Sequence, residues 1–324
     1  MRRLYFHFLR GVVLAVLALA GLQAQAQAYP SKPIRVIVPF SVGSATDITT
    51  RLIGAKMTES WGQQVVVDNR PGAGGIIAAE AARRAPADGY TLFFASSTIQ
   101  AANPSLFLKL PYDPVKDFTP VAPLVEGSNV LVVNPSLGVS SVKELIQLAK
   151  TQPGKLNFAY SSSLSRVDGE GLKFTTGIDI VGVPYKSNPN GVTDLIAGHI
   201  SMAFTDLPSS LPHIRTGKLR ALGYSSGKRS TLLPDIPTMA EAGVPGYGLT
   251  GWAAAFAPAG TPDDVVAKLN AEINRILNLP DIRERLTQQG LDPALGTSAQ
   301  LGALVRSEIP KWAKAIKEAG IKPE

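Results

Sequence analysis

Two stretches of the sequence place hydroxyls, small residues and a carboxylate at helix-capping spacing: VPFSVGSATD, Val38 to Asp47, and FAYSSSLSRVD, Phe158 to Asp168. Each begins with an apolar run that reads as a buried strand, Ile34 to Phe40 in the first case and Leu156 to Tyr160 in the second. A small-residue or hydroxyl-rich loop follows, and then the Ser-x-x-Asp pattern of an N-terminal capping box, Ser44 with Asp47 and Ser165 with Asp168. A strand feeding a helix through such a loop aims backbone N–H groups at one point. The first-turn N–H groups lack intrahelical partners and the helix dipole adds partial positive charge, so that point favours an anion. A nucleotide phosphate and a small organic carboxylate both satisfy it.

The nucleotide reading fails on detail. In VVVDNRPGAGG, Val65 to Gly75, the pair Gly72 and Gly74 imitates a dinucleotide fingerprint, but Ile77 stands where a third small residue is required. Pro71 occupies the turn, and no acid lies about 20 residues on. Catalysis is also poorly supplied. After residue 28 the chain has only His199 and His213, neither with a partner at metal-ligand spacing, and there is no Gly-x-Ser-x-Gly elbow or Ser-x-x-Lys. The absence of cysteine excludes disulfides, thiolate metal sites and a cysteine nucleophile. A carboxylate pocket with no metal, no cofactor and no catalytic residue is the expectation.

Its ligand-binding set is the first loop, Phe40, Ser41, Val42, Gly43, Ser44, Ala45, Thr46 and Asp47, with Ser96 and Ser97 after the third strand. The second loop adds Ser161, Ser162, Ser163, Ser165 and Arg166, and Tyr185, Lys186 and Asp206 complete the set. Arg166 either forks onto the ligand with its paired donors or pairs with Asp168 or Glu170. Phe40 and Tyr185 wall an apolar ligand body. Asp206 repels a carboxylate unless it accepts from a ligand amine or hydroxyl, or braces its own loop.

The elements that must position these residues follow from periodicity. Residues 1–28 read as a secretory signal peptide: Arg2, Arg3 and Arg10, then an apolar run from Gly11 to Gly21 too short for a bilayer span of roughly 20 residues, then the cleavage pattern Ala26-Gln27-Ala28. Cleavage after Ala28 leaves a free exported protein. Removing the leader's three arginines from 32 basic residues leaves 29 against 25 acidic ones. That mild positive charge, without basic runs carrying interleaved aromatics, suits anionic ligands and argues against nucleic acid.

Strand-like and helical runs then alternate in the rhythm of a parallel α/β sheet: Ile34 to Phe40, Val65 to Asp68 and Thr91 to Ala95, with helices to about Trp61 and from Ile76 to Arg84. After the proline-rich stretch from Pro111 to Pro123, a second series begins near Asn129, with Ser141 and Glu144 capping a helix. Two lobes are expected, one from 29–129 with 251–324 and the other from 130–250. Thr261-Pro-Asp-Asp264 supplies a cap, a first-position proline and an acidic first turn to a helix ending near Pro280, whose Leu269, Ile273, Ile276 and Leu277 form a core stripe.

On YPSKPIRVIVPF, GSATD, VVVDNRPGAGG, ADGYTL, LPYDPVKDFTPV, PGKLNFAYSS, VPYK, DLPSSLPHIRTGKLRAL and LPDIPTMAEAG, the chain resembles the Bug-type substrate-binding proteins of tripartite tricarboxylate transport systems. The resemblance implies a two-lobed α/β periplasmic binding fold of the type II, Venus-flytrap kind, with a ligand cleft between lobes. It implies a monomer that captures a small carboxylate, an aliphatic dicarboxylate or an aromatic acid, and delivers it to membrane transporter subunits. A receptor signalling to a membrane sensor kinase is the alternative, and a secreted hydrolase or oxidoreductase the rival from another class. The family's carboxylate loops map onto Ser41 to Asp47 and Ser161 to Arg166. Departures lie near that pocket: Ser41-Val42 where the family often has two prolines, Ser44 where it often has glycine, and Asp168 where histidine is common. Gly182 and Ser187 also differ from frequent choices.

Overall fold

The computed structural model describes residues 29–324, so the signal-peptide expectation lies outside the described residues. Among them no helix is long and apolar enough to cross a membrane. In chain order the elements are β1 (Ile34–Val38), α1 (Ala45–Trp61), β2 (Val65–Asn69), α2 (Ile76–Arg83), β3 (Thr91–Ser96), α3 (Asn103–Leu106) and β4 (Phe118–Gly127). Then follow β5 (Asn129–Val133), α4 (Val142–Thr151), β6 (Asn157–Tyr160), α5 (Ser163–Thr176), β7 (Val181–Pro184), α6 (Asn188–Ile196), β8 (Met202–Asp206), α7 (Leu207–Arg215) and β9 (Arg220–Tyr224). The chain ends with β10 (Gly251–Pro258), α8 (Asp263–Leu277), α9 (Pro280–Thr287), β11 (Asp292–Pro293) and α10 (Ser298–Glu318).

These strands form two sheets, in the orders β11-β4-β10-β3-β1-β2 and β7-β6-β8-β5-β9. The chain crosses between them twice, from β4 to β5 and from β9 to β10. Both sheets are mixed rather than parallel. In the first, β1 runs parallel to β2 and β3, but β10 returns antiparallel between β3 and β4. In the second, β6 is parallel to β7 and β8, while β5 is antiparallel to β8 and β9. Strands such as IRVIV and NVLVV are apolar on both faces because helices or the other layer cover both.

The proline-rich stretch conceals a strand that periodicity missed. Pro120 and Pro123 lie inside β4, each beside a register shift against β10. A proline cannot donate to the ladder, and an irregularity in the pairing accommodates the missing N–H. The cap expected at Thr261 is also displaced: α8 begins at Asp263 after Pro262, and the Thr261 hydroxyl donates instead to the Pro258 carbonyl at 2.8 Å. That helix ends at Leu277, and Pro280 opens α9 rather than closing α8. Leu269, Ile273, Ile276 and Leu277 are fully buried in the core beside the first sheet.

Helix α5 has a double allegiance. It follows β6 of the second sheet, yet its Leu164 and Val167 sit in the same apolar cluster as Phe93, Ile99, Trp252 and Trp312 of the first-sheet side. Packing of this kind holds the start of α5 over the ends of β3 and β10.

Candidate functional site

A cavity of about 100 Å³ lies where the two sheets' loops meet. The first-sheet side supplies Phe40, Ser44, Ala45 and Thr46 at the start of α1, Ser96, Ser97 and Thr98 after β3, and Val125, Trp252 and Ala253 from β4 and β10. The second-sheet side supplies Ser161, Ser162 and Leu164 around the start of α5, Asn188 at the first position of α6, and Asp206 with Leu207 at the start of α7. Four helix N-termini thus converge on one space, and their dipoles give it positive potential without a basic side chain.

The start of α1 is built for exposure of its N–H groups. Ser44 caps the helix by accepting from Asp47 N at 3.3 Å. The Asp47 carboxylate does not return to Ser44, as the capping-box reading required; it accepts from Gly43 N at 2.9 Å and from the Asn69 amide at 2.9 Å, and pairs with Arg51 at 3.0 Å. Gly43 turns the loop with φ +84°, a left-handed conformation that glycine adopts without strain. Asp47 therefore braces the loop from behind, being 1% exposed. The N–H groups of Ala45 and Thr46, the first two helical positions, have no acceptor within the helix.

At α5 the helix begins at Ser163, with Ser162 as cap and Ser165 closing a reciprocal box, so Ser165 and Asp168 are not the capping pair. The Ser165 hydroxyl accepts from Ser161 N and Ser162 N, each at 3.0 Å, and Ser163 N donates to the Thr98 hydroxyl at 3.1 Å. One of these acceptors, Thr98, comes from the first-sheet side, and the N–H of Leu164, the second helical position, has no acceptor within the helix. The Ser161 hydroxyl donates to the Asn188 side-chain Oδ1 at 2.5 Å, Asn188 Nδ2 donates to Asp206 at 2.8 Å, and the other Asp206 oxygen accepts from Ser209 N at 3.0 Å. Asp206 is thus a cap and loop brace, and the residue also lines the cavity.

Of the sequence-derived set, Phe40, Ser44, Ala45, Thr46, Ser96, Ser97, Ser161, Ser162 and Asp206 line the cavity. The others do not. Val42 is exposed on the loop, Ser41 reaches the Asn190 side chain at 3.4 Å, and Gly43 and Asp47 lie behind the cap. Ser163 and Ser165 are buried within the turn of α5. Tyr185 and Lys186 line an adjoining cavity of about 260 Å³ that shares Phe40 and Ser161 with the first. The Tyr185 hydroxyl donates to Asp194 at 2.7 Å, and burial, with Asp194 beside it, pushes its pKa up to about 12.

Arg166 departs from both of its expected uses. Its guanidinium donates to Glu324 at 2.9 Å and stands 5.6 Å from the Tyr160 ring centroid, because the turn of α5 carries it away from the cavity. Glu170 pairs with Lys173 at 3.0 Å. Asp168 is buried, accepting from the Asn129 amide at 2.9 Å where the chain crosses between sheets. Burial raises its pKa to about 7, although Asn129 and Ser225 draw it back.

Sequence reasoning missed Asn188, Trp252, Thr98, Asn129 and Leu164, all of which line the cavity. Asn188 carried a usable signal, since Ser187-Asn-Pro-Asn places a proline in a helix first turn. Trp252 and Leu164 carried none, because an apolar side chain facing a cavity and one facing a core look alike in a sequence.

Comparison with known proteins accords with this geometry. Residues 49–321 match the model of the TctC family, described as the tripartite tricarboxylate transporter family receptor. The chain is 38% identical over 319 residues to the protein BugT of Bordetella pertussis, covering 97% of this chain and 98% of that one. Among solved structures it is similar to Rpa4515 of R. palustris with adipate (TM-score 0.88, 37% identity, covering 91% of this chain and 100% of that one). It is also similar to MatC of Rhodopseudomonas palustris with bound malate (TM-score 0.84, 34% identity, covering 89% and 100%). By that family match the chain is a receptor rather than an enzyme, and it belongs to the TctC family of tripartite tricarboxylate transporter receptors.

Proposed function

We propose that this protein captures a small carboxylate between its two lobes in the periplasm and delivers it to the membrane components of a tripartite tricarboxylate-type transporter. The observation that carries the reading is the convergence of helix N-termini from both sheets on one cavity, with the N–H groups of Ala45 and Thr46 left for a ligand. That adipate and malate accompany two similar structures supports it. The lobes comprise 29–129 with 251–324, and 130–250. They close about the two crossings, where Asn129 and Ser225 exchange hydrogen bonds: Ser225 N to the Asn129 carbonyl at 3.0 Å, and Asn129 N to the Ser225 hydroxyl at 3.2 Å.

The test is a thermal-shift and calorimetric screen of the purified protein against aliphatic and aromatic acids. A ligand at about 100 times its Kd stabilises the native state by roughly 2.7 kcal/mol, with one-to-one stoichiometry and recovery of unchanged acid. A panel in which no carboxylate shifts the melting temperature, or in which one is turned over, defeats the proposal. Delivery is tested separately, by asking whether the loaded protein drives uptake into vesicles containing the transporter's membrane subunits.

A further inference from the structure

Asp168 takes no part in capping α5, and its surroundings give it another use. Resting on the carboxylate reading above, we propose that capture is proton-linked: Asp168 takes up a proton as a carboxylate enters the cavity, and Asn129 is the positioning residue between them. Asp168 follows Leu164 by one turn of α5, so the two share a helix face, and Leu164 lines the cavity. The Asn129 amide donates to Asp168 at 2.9 Å, and Asn129 lines the cavity as well. Ser225 hydrogen-bonds the same carboxylate. Asn129 and Ser225 stand where the chain crosses between the sheets, bonded to each other through N–H groups at 3.0 and 3.2 Å. The acid therefore joins the hinge to the ligand space.

Among the described residues no basic side chain pairs with this carboxylate. On its own helix, Arg166 holds Glu324 and Lys173 holds Glu170. β6 brings Tyr160, which lies under the Arg166 guanidinium, and β7 brings no titratable side chain. Asp206, at the end of β8, is the register partner of Asn129 on β5, and it is acidic. The Tyr247 hydroxyl, from the segment before β10, donates to the Asp168 carbonyl at 2.6 Å; burial and the nearby acid hold its pKa well above the ordinary value, so it stays neutral. The turn at Thr98–Ala102 carries no ionisable group, and on α10 the buried Glu308 pairs with Lys311 at 2.8 Å. Burial sets the Asp168 pKa at about 7, so at neutral pH about half the molecules already hold that proton. A ligand carboxylate at the starts of α1 and α5 adds a second negative charge beside the same face of α5, which makes ionisation of Asp168 harder still. By linkage, binding draws a proton from solvent onto Asp168. Affinity is then highest where the acid is protonated and falls as pH rises above about 7.

Calorimetry on the purified protein decides the matter, with adipate, malate, hexanoate and benzoate as probes, all largely ionised above about pH 6. Titrations at about pH 7.5 in phosphate and in Tris, whose ionisation heats differ, count the protons exchanged. Each acid that binds is expected to carry a fraction of a proton onto the protein. Its affinity should fall about tenfold between about pH 6.5 and 8.5, equivalent to displacing the acid's titration by roughly one unit. Asp168→Asn should abolish both effects. Asn129→Ala removes a donor that favours the ionised acid, so the midpoint of the affinity profile should move to higher pH, a readout that serves even if Asp168→Asn fails to fold. Proton uptake that persists in Asp168→Asn, or a midpoint unmoved in Asn129→Ala, assigns the proton to another group and overturns the proposal. A wild type that binds an acid with no proton exchanged and a flat profile also overturns it, and the carboxylate reading would then stand. If none of the four acids binds at any pH, that reading itself has failed.

Discussion

The starts of α1 and α5 grow from the same chemistry, a strand, a hydroxyl-bearing loop and an aspartate shortly after, yet they are finished in different ways. At α1 the acid turns backward: Asp47 ties Gly43, Asn69 and Arg51 together, and the helix's own first N–H groups are left over. At α5 a serine does the tying. Ser165 takes the N–H groups of Ser161 and Ser162, Thr98 takes that of Ser163, and Asp168 is buried further along the helix against Asn129. Both ends leave first-turn N–H groups without an acceptor, Ala45 and Thr46 at α1 and Leu164 at α5, but at α5 the first N–H, that of Ser163, also ties the helix to Thr98 on the other side. An anion-binding motif is therefore identified by which of its donors remain unpaired, and that depends on partners far away in the sequence.

The largest expected effect tests the odd placement of Asp168. Its pKa is about 7 in the fold against 3.8 unperturbed, so between about pH 4 and 7 the native state holds a proton that the unfolded chain has released. Stability should fall as pH rises through that window and level off above it, by up to about 4 kcal/mol at 1.36 kcal/mol per unit. Denaturant titrations of the wild type and Asp168→Asn across pH 4 to 8 measure it, and parallel curves would show that Asp168 is ionised throughout. Next, Asp47→Ala strips acceptors from Gly43 N and the Asn69 amide and leaves Arg51 without its partner, so a loss of about 2 to 4 kcal/mol in stability is expected. Asp47→Asn should recover part of it in the same chemical denaturation assay.

Smaller effects separate the two caps. Ser44→Ala and Ser162→Ala should each cost about 1 kcal/mol of stability, the usual worth of a helix cap. They should differ in binding, with calorimetry finding the larger loss of carboxylate affinity at Ser44. Equal losses would mean that the two termini serve the ligand alike, and the contrast between them would collapse. The smallest effect belongs to Arg166→Ala, because its partially exposed pair with Glu324 contributes about 0 to 1 kcal/mol. Affinity within about threefold of wild type is expected, and a tenfold loss would show that the guanidinium does reach the ligand.

Much of this was legible because it is local. Apolar runs marked β1, β3 and β6, and the stripe of Leu269, Ile273, Ile276 and Leu277 marked a buried helix face. Of the two serines read as caps beside the pocket, Ser44 does cap α1 and borders the cavity, whereas Ser165 lies inside α5, whose cap is Ser162. What stayed hidden was non-local. Pro120 and Pro123 masked β4 because their accommodation depends on a register shift against β10, which lies far along the chain. Arg166 stayed open between a ligand clamp and a pair with Asp168 or Glu170 because nothing near it in sequence indicates Glu324, and nothing near Trp252 in sequence shows that it faces the cavity.

The position of β10 also orders events during synthesis. It lies between β3 and β4, so the first sheet has a gap in its middle until residues 251–258 exist, although β1 to β4 are made before any strand of the second sheet. A nascent chain cannot close that core early, because the strand that joins its two halves is made late, and distant pairings of this kind are slow to form. On the periplasmic reading the polypeptide must be threaded through a membrane before it works, and that delay keeps its amino-terminal half in a state that can still be threaded.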